Sequence, residues 1–382
     1  MDELTRLLSE LVSIPSVNPM GRALSGPELL ETRLSAYLES WFRDRGLHVQ
    51  RQPVAPGRDN LLARYDAPDA RRTVLFDVHQ DTVPTDGMTI PPFEPRVEVG
   101  KLYGRGACDV KASMAAMLLA FERLCRERPQ GSASVVLACT VDEEFTHLGS
   151  SKLAETQSGI DLAVVAEPTQ LNVVHCHKGA TRWKIRARGV ACHSSTPERG
   201  VNAIYRMAHV VAALADLARD LSRTPPHPIL GPPSLSVGRI EGGLSVNIVP
   251  DACTIEIDRR MIPGETPSGC IEQVRKFLVD RLGSLDGVEF DPPWVRMPAL
   301  DTQLGDWVGP LSEAVKGATG RTPELIGVPF GTDAGPLGAA GIPGVVFGPG
   351  DIAQAHTRDE WVELDQVHQA AEAYYRIACA LG

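Results

Sequence analysis

Short apolar runs alternate with amphipathic segments between about residues 60 and 178. Residues 133–141 form a continuous apolar run, which is typical of a strand buried on both faces of a sheet. Residues 111–127 follow helical spacing and separate this strand from an earlier one that ends near residue 79. Strands that alternate with helices in this way predict an α/β unit with a mostly parallel sheet.

An earlier helix is predicted from a capping signal. Ser25 and Glu28 have the spacing of a capping box, and apolar residues from Leu30 to Trp41 line one face before Gly46. We therefore expect a helix that begins after Ser25 and ends near Gly46.

The hydrophobic pattern changes around residue 180. Residues 181–189 alternate strictly between apolar and polar side chains, so this strand is expected to have one face in water. A helix, two alternating strands, a helix over roughly 267–282 and a short strand near 288–290 follow. The order β-α-β-β-α-β is that of a split ferredoxin-like domain.

The apolar pattern of strands and helices returns after residue 291. We therefore predict a discontinuous main domain, residues 1–177 and 291–382, with residues 178–290 inserted as a small domain. A chain of 382 residues is consistent with about two domains.

Composition and charge exclude several classes of partner. The formal net charge of −10 and the lack of a long basic run argue against nucleic acid and anionic membranes. No apolar stretch approaches the roughly 20 residues of a membrane span, and the N-terminus lacks the apolar segment of a secretory signal. Eight scattered cysteines without a C-x-x-C motif are typical of a reducing compartment. We expect a cytoplasmic protein without nucleic-acid or membrane partners.

Five segments place a metal-type ligand where an apolar run ends. They are TVLFDVHQD with His79 and Asp81, GRGACDVKA with Asp109, VVLACTVDEE with Glu143 and Glu144, LAVVAEP with Glu167, and VVFGPGDIAQAH with His356. Ligands of open α/β sheets bind beyond the carboxyl ends of the strands. Histidine and carboxylate ligands together suit zinc or cobalt. The joint occurrence predicts a hydrolase with two metal ions.

Taken singly, these residues leave alternatives open. Asp81 is either a direct ligand or the carboxylate that orients His79. Asp109 could instead cap a helix that begins at residue 111. It also occupies the place of the third glycine in a dinucleotide fingerprint, which argues against nicotinamide binding. Of Glu143 and Glu144, one can bind metal while its neighbour serves as general base.

These motifs resemble a known family. HQDTVP, GRGACDVKA, TVDEE, AEPT, ACHSSTP, FGTDAG and FGPGDIAQAH are similar, in content and order, to motifs of the di-zinc amidohydrolases and peptidases. That family includes acetylornithine deacetylases, succinyl-diaminopimelate desuccinylases, glutamate carboxypeptidases and aminoacylases. Within it, FGPGDIAQAH, HKGATRW and GVNAI look most similar to the acetylornithine deacetylases.

The resemblance assigns roles in the main domain, which would be catalytic. His79 and Glu167 would bind one metal ion, Glu144 and His356 the other, and Asp109 would bridge the two; Asp81 would orient His79, and Glu143 would be the general base and then the acid. The cofactors would be two zinc or cobalt ions per subunit.

The resemblance also assigns roles elsewhere. Residues 178–290 would form a homodimer, and His193 would reach the partner subunit's site to stabilise the oxyanion. Asn247 and Arg259 would hold a substrate carboxylate. From the residues alone, His193 could be a capping or core histidine, and Arg259 could pair with an acid of its own strand.

A last segment resembles a substrate-contacting one. Thr332 and Asp333 lie in FGTDAG, which a plain tight turn would also explain.

The expected function is hydrolysis of the amide bond of an N-acyl-L-amino acid such as N-acetylornithine. The partners would be a small N-acyl amino acid or a short peptide, and a second copy of the chain. A carboxypeptidase, a dipeptidase or a succinyl-diaminopimelate desuccinylase on the same core remains an alternative. A non-catalytic protein stabilised by metal is an alternative of another class.

Overall fold

The computed structural model describes residues 1–382, which divide into two compact units. The large unit comprises Met1–His175, Asp301–Gly327 and Thr332–Gly382, and the small unit comprises Cys176–Leu300 and Val328–Gly331.

The chain forms nine α-helices and seventeen strands. The helices are α1 (Glu3–Ser13), α2 (Thr32–Asp44), α3 (Ala112–Glu127), α4 (Leu148–Thr156), α5 (Ala203–Leu221), α6 (Pro267–Leu282), α7 (Val308–Thr319), α8 (Ala334–Ala339) and α9 (Leu364–Ala380). The strands are β1 (Val49–Ala55), β2 (Arg58–Tyr65), β3 (Thr73–His79), β4 (Arg96–Glu98), β5 (Lys101–Tyr103), β6 (Ser134–Thr140), β7 (Leu162–Val165), β8 (Val173–His177), β9 (Gly179–Arg188), β10 (Ser234–Gly242), β11 (Ala252–Met261), β12 (Val288–Phe290), β13 (Val295–Met297), β14 (Leu300–Asp301), β15 (Leu325–Val328), β16 (Gly344–Val346) and β17 (Trp361–Glu363).

The large unit is built on a nine-stranded sheet. Its order is β1-β2-β6-β3-β7-β16-β8-β14, with β15 pairing beside β8. The four central strands, β6, β3, β7 and β16, run parallel, whereas β1 and β2 are antiparallel additions at one edge. Every residue of β6 is buried, as expected for a strand covered on both faces. The predicted mixed α/β fold with a mostly parallel sheet is confirmed.

Helices cover both faces of this sheet. On one face α3 and α9 pack together, and the ring of Tyr374 in α9 lies 5.6 Å from that of Phe76 in β3. On the other face α8 approaches β7 and β16, where a side chain at Gly344 would meet Ala334 and Ala163. Aromatic residues therefore pack on one face, and small residues lie at the contact on the other.

The predicted start of the second helix is wrong. α2 begins at Thr32, and the residues after Ser25 form turns instead. The N–H of Val17 donates to the carbonyl of Glu28, and the N–H of Leu30 donates to the carbonyl of Val17. These long-range bonds occupy backbone groups that a helix would use.

The small unit contains an antiparallel sheet covered on one face by α5 and α6. The strand order is β10-β11-β9-β12, and β13 also pairs with β9. Trp183 and Ile185 of β9 pack against Met207 and Leu214 of α5. The predicted ferredoxin-like arrangement is confirmed. No helix in the structure combines the length and the apolar composition that a membrane crossing requires.

Candidate metal centre

The candidate centre lies where the parallel strands of the large unit end. His79 is the last residue of β3, Glu143 and Glu144 lie three and four residues after β6, and Glu167 lies two residues after β7. His356 comes after β16 and a short 3₁₀ helix, with a positive φ of 62°. The sheet brings these segments together at the carboxyl ends of its strands, as expected for neighbouring parallel strands.

Asp109 belongs to two groups of possible ligands at once. One group is His79, Asp109 and Glu167, and the other is Asp109, Glu144 and His356; within each group the ligand atoms lie within 4.8 Å of one another. Nε2 of His79 is 3.1 Å from one carboxylate oxygen of Asp109, and Nε2 of His356 is 3.3 Å from the other. The two oxygens of Asp109 thus face different imidazoles.

The alternative that Asp109 caps a helix is wrong. α3 begins at Ala112, its N-cap residue is Lys111, and that end has no side-chain cap. The side chain of Asp109 is directed at the two histidines instead.

The electrostatics of the cluster favour added positive charge. Burial, followed by neighbouring carboxylates, raises the pKa values of Glu143, Glu144 and Glu167. Although burial alone would lower it, hydrogen bonds to Asp109 and Glu144 raise the pKa of His356 to about 11. Four acids around two imidazoles therefore repel one another and stabilise cations.

The residues of the cluster fit two divalent ions. One carboxylate oxygen of Glu144, Oε1, is buried and has no hydrogen-bond partner, which is costly unless a cation completes its environment. Mixed imidazole and carboxylate donors are the set that zinc and cobalt accept. A divalent ion requires neutral imidazole, so metal binding would release protons from these histidines.

Asp81 holds the backbone of the two adjacent glutamates. Its carboxylate accepts hydrogen bonds from the N–H of Glu143 at 3.1 Å and of Glu144 at 3.2 Å, and from the amide of Asn18 at 2.8 Å. His79 contacts the backbone carbonyl of Asp81 through Nδ1 at 2.9 Å, whereas the carboxylate is 3.7 Å away. Asp81 therefore contacts His79 mainly through its main chain, and it belongs to neither ligand group.

Glu143 is a member of neither of these two groups, and it forms a third group of possible ligands with His147 and Asp333. The residue is 8% exposed, and its Oε1 is 3.7 Å from Nδ1 of His147. A buried carboxylate that is close to the ligands and binds none of their shared atoms is the arrangement that a general base needs.

Thr332 and Asp333 are both buried. Asp333 contacts Nδ1 of His147 at 3.0 Å and accepts hydrogen bonds from Ser150 at 2.5 Å and Thr140 at 3.1 Å. Burial alone would raise its pKa, but the bonds from His147 and Ser150 lower it. The predicted contact of Thr332 and Asp333 with substrate stays a prediction, and it would require these buried side chains to become accessible.

Three further predicted residues lie in the small unit. His193 is exposed, its Nδ1 contacts the hydroxyl of Ser195 at 2.7 Å, and its segment pairs with that of Asn247. Asn247 is exposed as well. Their catalytic roles stay predictions.

Arg259 is fully buried. Its guanidinium donates to Glu265 and to the backbone carbonyl of Arg260, both at 2.5 Å, so the alternative of a pair with an acid of its own strand is wrong. A contact with substrate would require this ion pair to open. The neighbouring Arg260 is on the other face of β11, 29% exposed and paired with Asp258.

Several residues around the centre were missed from the sequence. Glu360 and Arg105 form a buried ion pair beside Asp109, and His147 lies between Glu143 and Asp333. Arg105 is inside the motif GRGACDVKA, but its partner is 255 positions away and carries no local signal. The burial of Arg259 was readable, because the alternation of Ile255 and Ile257 places it on the inner face of β11.

Comparison with known proteins decides the family. Residues 75–380 match the model of peptidase family M20/M25/M40. The chain belongs to this family.

Members of known activity align with this M20 chain over nearly its whole length. It is 32% identical over 378 residues to an acetylornithine deacetylase of Pectobacterium carotovorum subsp. carotovorum, covering 96% of this chain and 94% of that protein. It is 30% identical over 370 residues to an acetylornithine deacetylase of Edwardsiella ictaluri, covering 94% of this chain and 92% of that protein. The protein is thus a metallopeptidase-family hydrolase.

Solved structures of this family share the fold. An M20 family metallo-carboxypeptidase from Sulfolobus solfataricus superposes with a TM-score of 0.81 at 19% identity, covering 100% of this chain and 99% of that one. An aminopeptidase from Bacillus cereus superposes with a TM-score of 0.75 at 22% identity, covering 99% and 98%. At these identities the likeness describes architecture only.

Proposed function

We propose that this M20 hydrolase cleaves the amide bond of an N-acyl-L-amino acid, with N-acetylornithine as the leading substrate. The observation that carries the proposal is the pair of ligand groups sharing Asp109, with the carboxylate of Glu143, which belongs to neither of the two, close to them. The substrate is supported by the relatives at 30–32% identity, which are acetylornithine deacetylases.

Each residue of the two groups has a proposed position in the metal site. His79 and Glu167 would hold one zinc or cobalt ion, Glu144 and His356 would hold the other, and Asp109 would hold both. When bound, the two ions supply a Lewis acid for the scissile carbonyl and lower the pKa of water from 15.7 to about 7.

Glu143 is the proposed proton carrier. Its carboxylate takes a proton from the attacking water and then delivers it to the nitrogen of the leaving amine. Asp81 supports this role, because its carboxylate holds the N–H groups of both Glu143 and Glu144. Nδ1 of His147 lies 3.7 Å from Oε1 of Glu143.

Substrate carboxylate and oxyanion contacts are proposed for the small unit. Asn247 and an arginine of β11 would hold the carboxylate, since planar guanidinium suits such a group. Arg259 was the predicted arginine. Both arginines are paired with an acid, but Arg260 is the stronger candidate because its side chain is 29% exposed and that of Arg259 is fully buried. His193 would stabilise the oxyanion in the site of a second copy.

A homodimer through the small unit is supported by an exposed apolar patch. We define the patch by Ile204, Tyr205, Leu244, Val246 and Ile248, of which Leu244 is 90% and Val246 97% exposed. Together they line a groove of about 780 Å³. The edge strand β10 leads into it, and contiguous exposed apolar surface of this kind marks protein interfaces. His193 pairs with Ile248, so a second copy on the patch would lie beside that histidine.

The central experiment compares Glu143→Gln with the unaltered protein, both loaded with zinc or cobalt. Turnover of N-acetylornithine should fall about 10²–10⁴-fold, the usual contribution of a general acid–base group. Glu155→Gln, an exposed glutamate of α4, is the matched control and should retain full activity. A fall of less than about tenfold would show that Glu143 is not the base.

A substrate panel separates the rival activities. Acetylornithine, succinyl-diaminopimelate, an acyl-glutamate and a dipeptide are compared by kcat/KM on the same metal-loaded protein. We expect acetylornithine or a close analogue to be preferred. Preference for the dipeptide would indicate a peptidase, and binding without hydrolysis under any metal would indicate a non-catalytic protein.

The dimer is tested by light scattering in solution. Val246→Asp places a charge in the patch and should convert a dimer into a monomer. Val99→Asp, at a 93% exposed apolar residue of the large unit, is the control and should leave the mass unchanged. An unaltered protein that is already monomeric would exclude this part of the proposal.

A further inference from the structure

We propose that the buried ion pair of Arg105 and Glu360 positions Asp109 and His356 for metal binding. Neither residue is a member of a ligand group, and together they connect the two loops that carry those ligands. The inference rests on the proposed two-ion site and assigns it two positioning residues.

Glu360 holds the loop that carries Asp109. Its Oε1 accepts hydrogen bonds from the N–H groups of Cys108 at 2.9 Å and of Asp109 itself at 3.0 Å. Its Oε2 accepts one from the N–H of Gly106 at 3.1 Å. Charge-assisted bonds of this kind are about twice as strong as neutral ones. The orientation of the Asp109 backbone therefore depends directly on Glu360.

Arg105 extends this connection to the segment of His356. One terminal nitrogen, Nη1, donates to Glu360 Oε2 at 2.6 Å. The other, Nη2, donates to the backbone carbonyls of Thr357, at 3.4 Å, and Pro84, at 3.3 Å. Thr357 directly follows His356 in the chain. A lysine at this position would offer a single point charge and could not reproduce the fork.

The ion pair is poorly explained by stability alone. Both side chains are almost inaccessible, at 3% and 0% exposure. Burying two charges costs free energy, and the attraction between them often does no more than offset that cost. What the pair provides is a rigid connection between ligand segments in a cluster of mutually repelling acids. Residues that orient metal ligands in this way typically affect metal affinity 10–100-fold.

The test measures zinc affinity, independently of turnover. The full-length protein is stripped with a chelator and titrated with Zn²⁺ against a chromophoric competitor, and its thermal unfolding is followed with and without zinc. Glu360→Gln keeps the size of the side chain and removes its charge. The zinc dissociation constant should increase about 10–100-fold, and the zinc-induced increase in Tm should shrink.

Two further variants make the result decisive. Glu39→Gln breaks the Arg51–Glu39 pair, which lies between α2 and β1 and contacts no ligand, so its zinc affinity should equal that of the unaltered protein. Arg105→Lys should weaken zinc binding less than Glu360→Gln does, because it retains one bond to Glu360. If Glu360→Gln does not fold, Arg105→Lys decides.

A change in the zinc dissociation constant of less than about fivefold in the deciding variant overturns the inference, even if the Tm of the metal-free protein falls. A larger change with an unaffected Glu39→Gln control supports it. If the unaltered protein binds no zinc, the proposed function fails together with this inference. If it binds two ions and the variants bind them equally well, only the inference fails.

Discussion

The sheets of the two units handle charged side chains in opposite ways. In the large unit four carboxylates lie together with two imidazoles near the ends of buried strands, and they belong to Asp109, Glu143, Glu144 and Glu167. On the open face of the small sheet, acids and bases alternate between neighbouring strands, as in Arg182–Asp258 at 2.7 Å and Lys184–Glu256 at 3.0 Å. The charged side chains of the small sheet therefore already neutralise one another in pairs, and they are partly hydrated. The comparison shows that it is buried charge without an adequate partner, not abundance of charge, that indicates a metal centre.

The strongest test of this contrast is Asp109→Asn. Removing the shared carboxylate charge should lower zinc binding from two ions per chain to one or none, and should reduce kcat/KM by at least about 10³-fold, since metal ions contribute several kcal/mol to such reactions. Zinc is measured by elemental analysis and activity on the preferred substrate. Asp306→Asn, an exposed acid of the same unit, is the control. Two bound ions in Asp109→Asn would contradict the bridging role.

The second test removes apolar packing from the small unit. Trp183 is fully buried beneath α5 and α6, so Trp183→Ala should cost about 3–5 kcal/mol in denaturant unfolding while leaving zinc affinity unchanged. Trp183→Phe should cost much less, because the indole N–H has no partner to lose. A weakened zinc affinity in Trp183→Ala would show that the two units are energetically coupled.

The third test concerns a buried acid near the centre that is no ligand. Burial, followed by the charge of Asp81, raises the pKa of Glu31 to about 7, and Arg58 opposes this rise without cancelling it. The folded protein then holds a proton that the unfolded chain releases near its ordinary value, so stability from this group is present at low pH and is lost as pH rises through about 7.

The measurement compares the free energy of unfolding of the unaltered protein and of Glu31→Gln between pH 4.5 and 7. The advantage of the unaltered protein should shrink with rising pH, by up to about 1.4 kcal/mol per pH unit. A constant difference across this range would show that Glu31 remains ionised in the fold.

The smallest effect is expected on the open face of the small sheet. A double-mutant cycle of Lys184→Ala and Glu256→Ala should give a coupling of about 0.2–1 kcal/mol, because both side chains are partly in water. The coupling should decrease further at high salt. A coupling above about 2 kcal/mol would place this pair with the buried charges of the large unit instead.

Local sequence patterns were sufficient to predict the fold, with one informative exception. The continuous apolar run of β6 indicates a strand buried on both faces, and the alternating pattern of β9 indicates a strand buried on one face. The start of α2 was misplaced because Ser25 and Glu28 imitate a capping box, while the decisive bonds come from Val17. Long-range backbone pairing of this kind has no local pattern.

The difference between local sequence patterns and long-range contacts also applies to the metal centre. The residues of the two ligand groups could be found because each follows the end of an apolar run, and parallel strands bring such ends together. The roles of Arg105 and Glu360 could not be found from the sequence, because they depend on contacts between residues more than 250 positions apart. Arg259 is a different case: simple strand alternation indicates the inner face for it, and the family motif outweighed that signal.

The insertion of the small unit into the large one has a consequence for biosynthesis. Cys176–Leu300 leaves the ribosome as one nearly complete folding unit, whereas His356 follows Leu300 by 56 residues. At roughly 5–20 residues per second, several seconds pass in which the nascent chain carries the early acids of the centre without its last imidazole. The ligand group of Asp109, Glu144 and His356 can therefore be completed only after His356 has been synthesised, several seconds after the small unit.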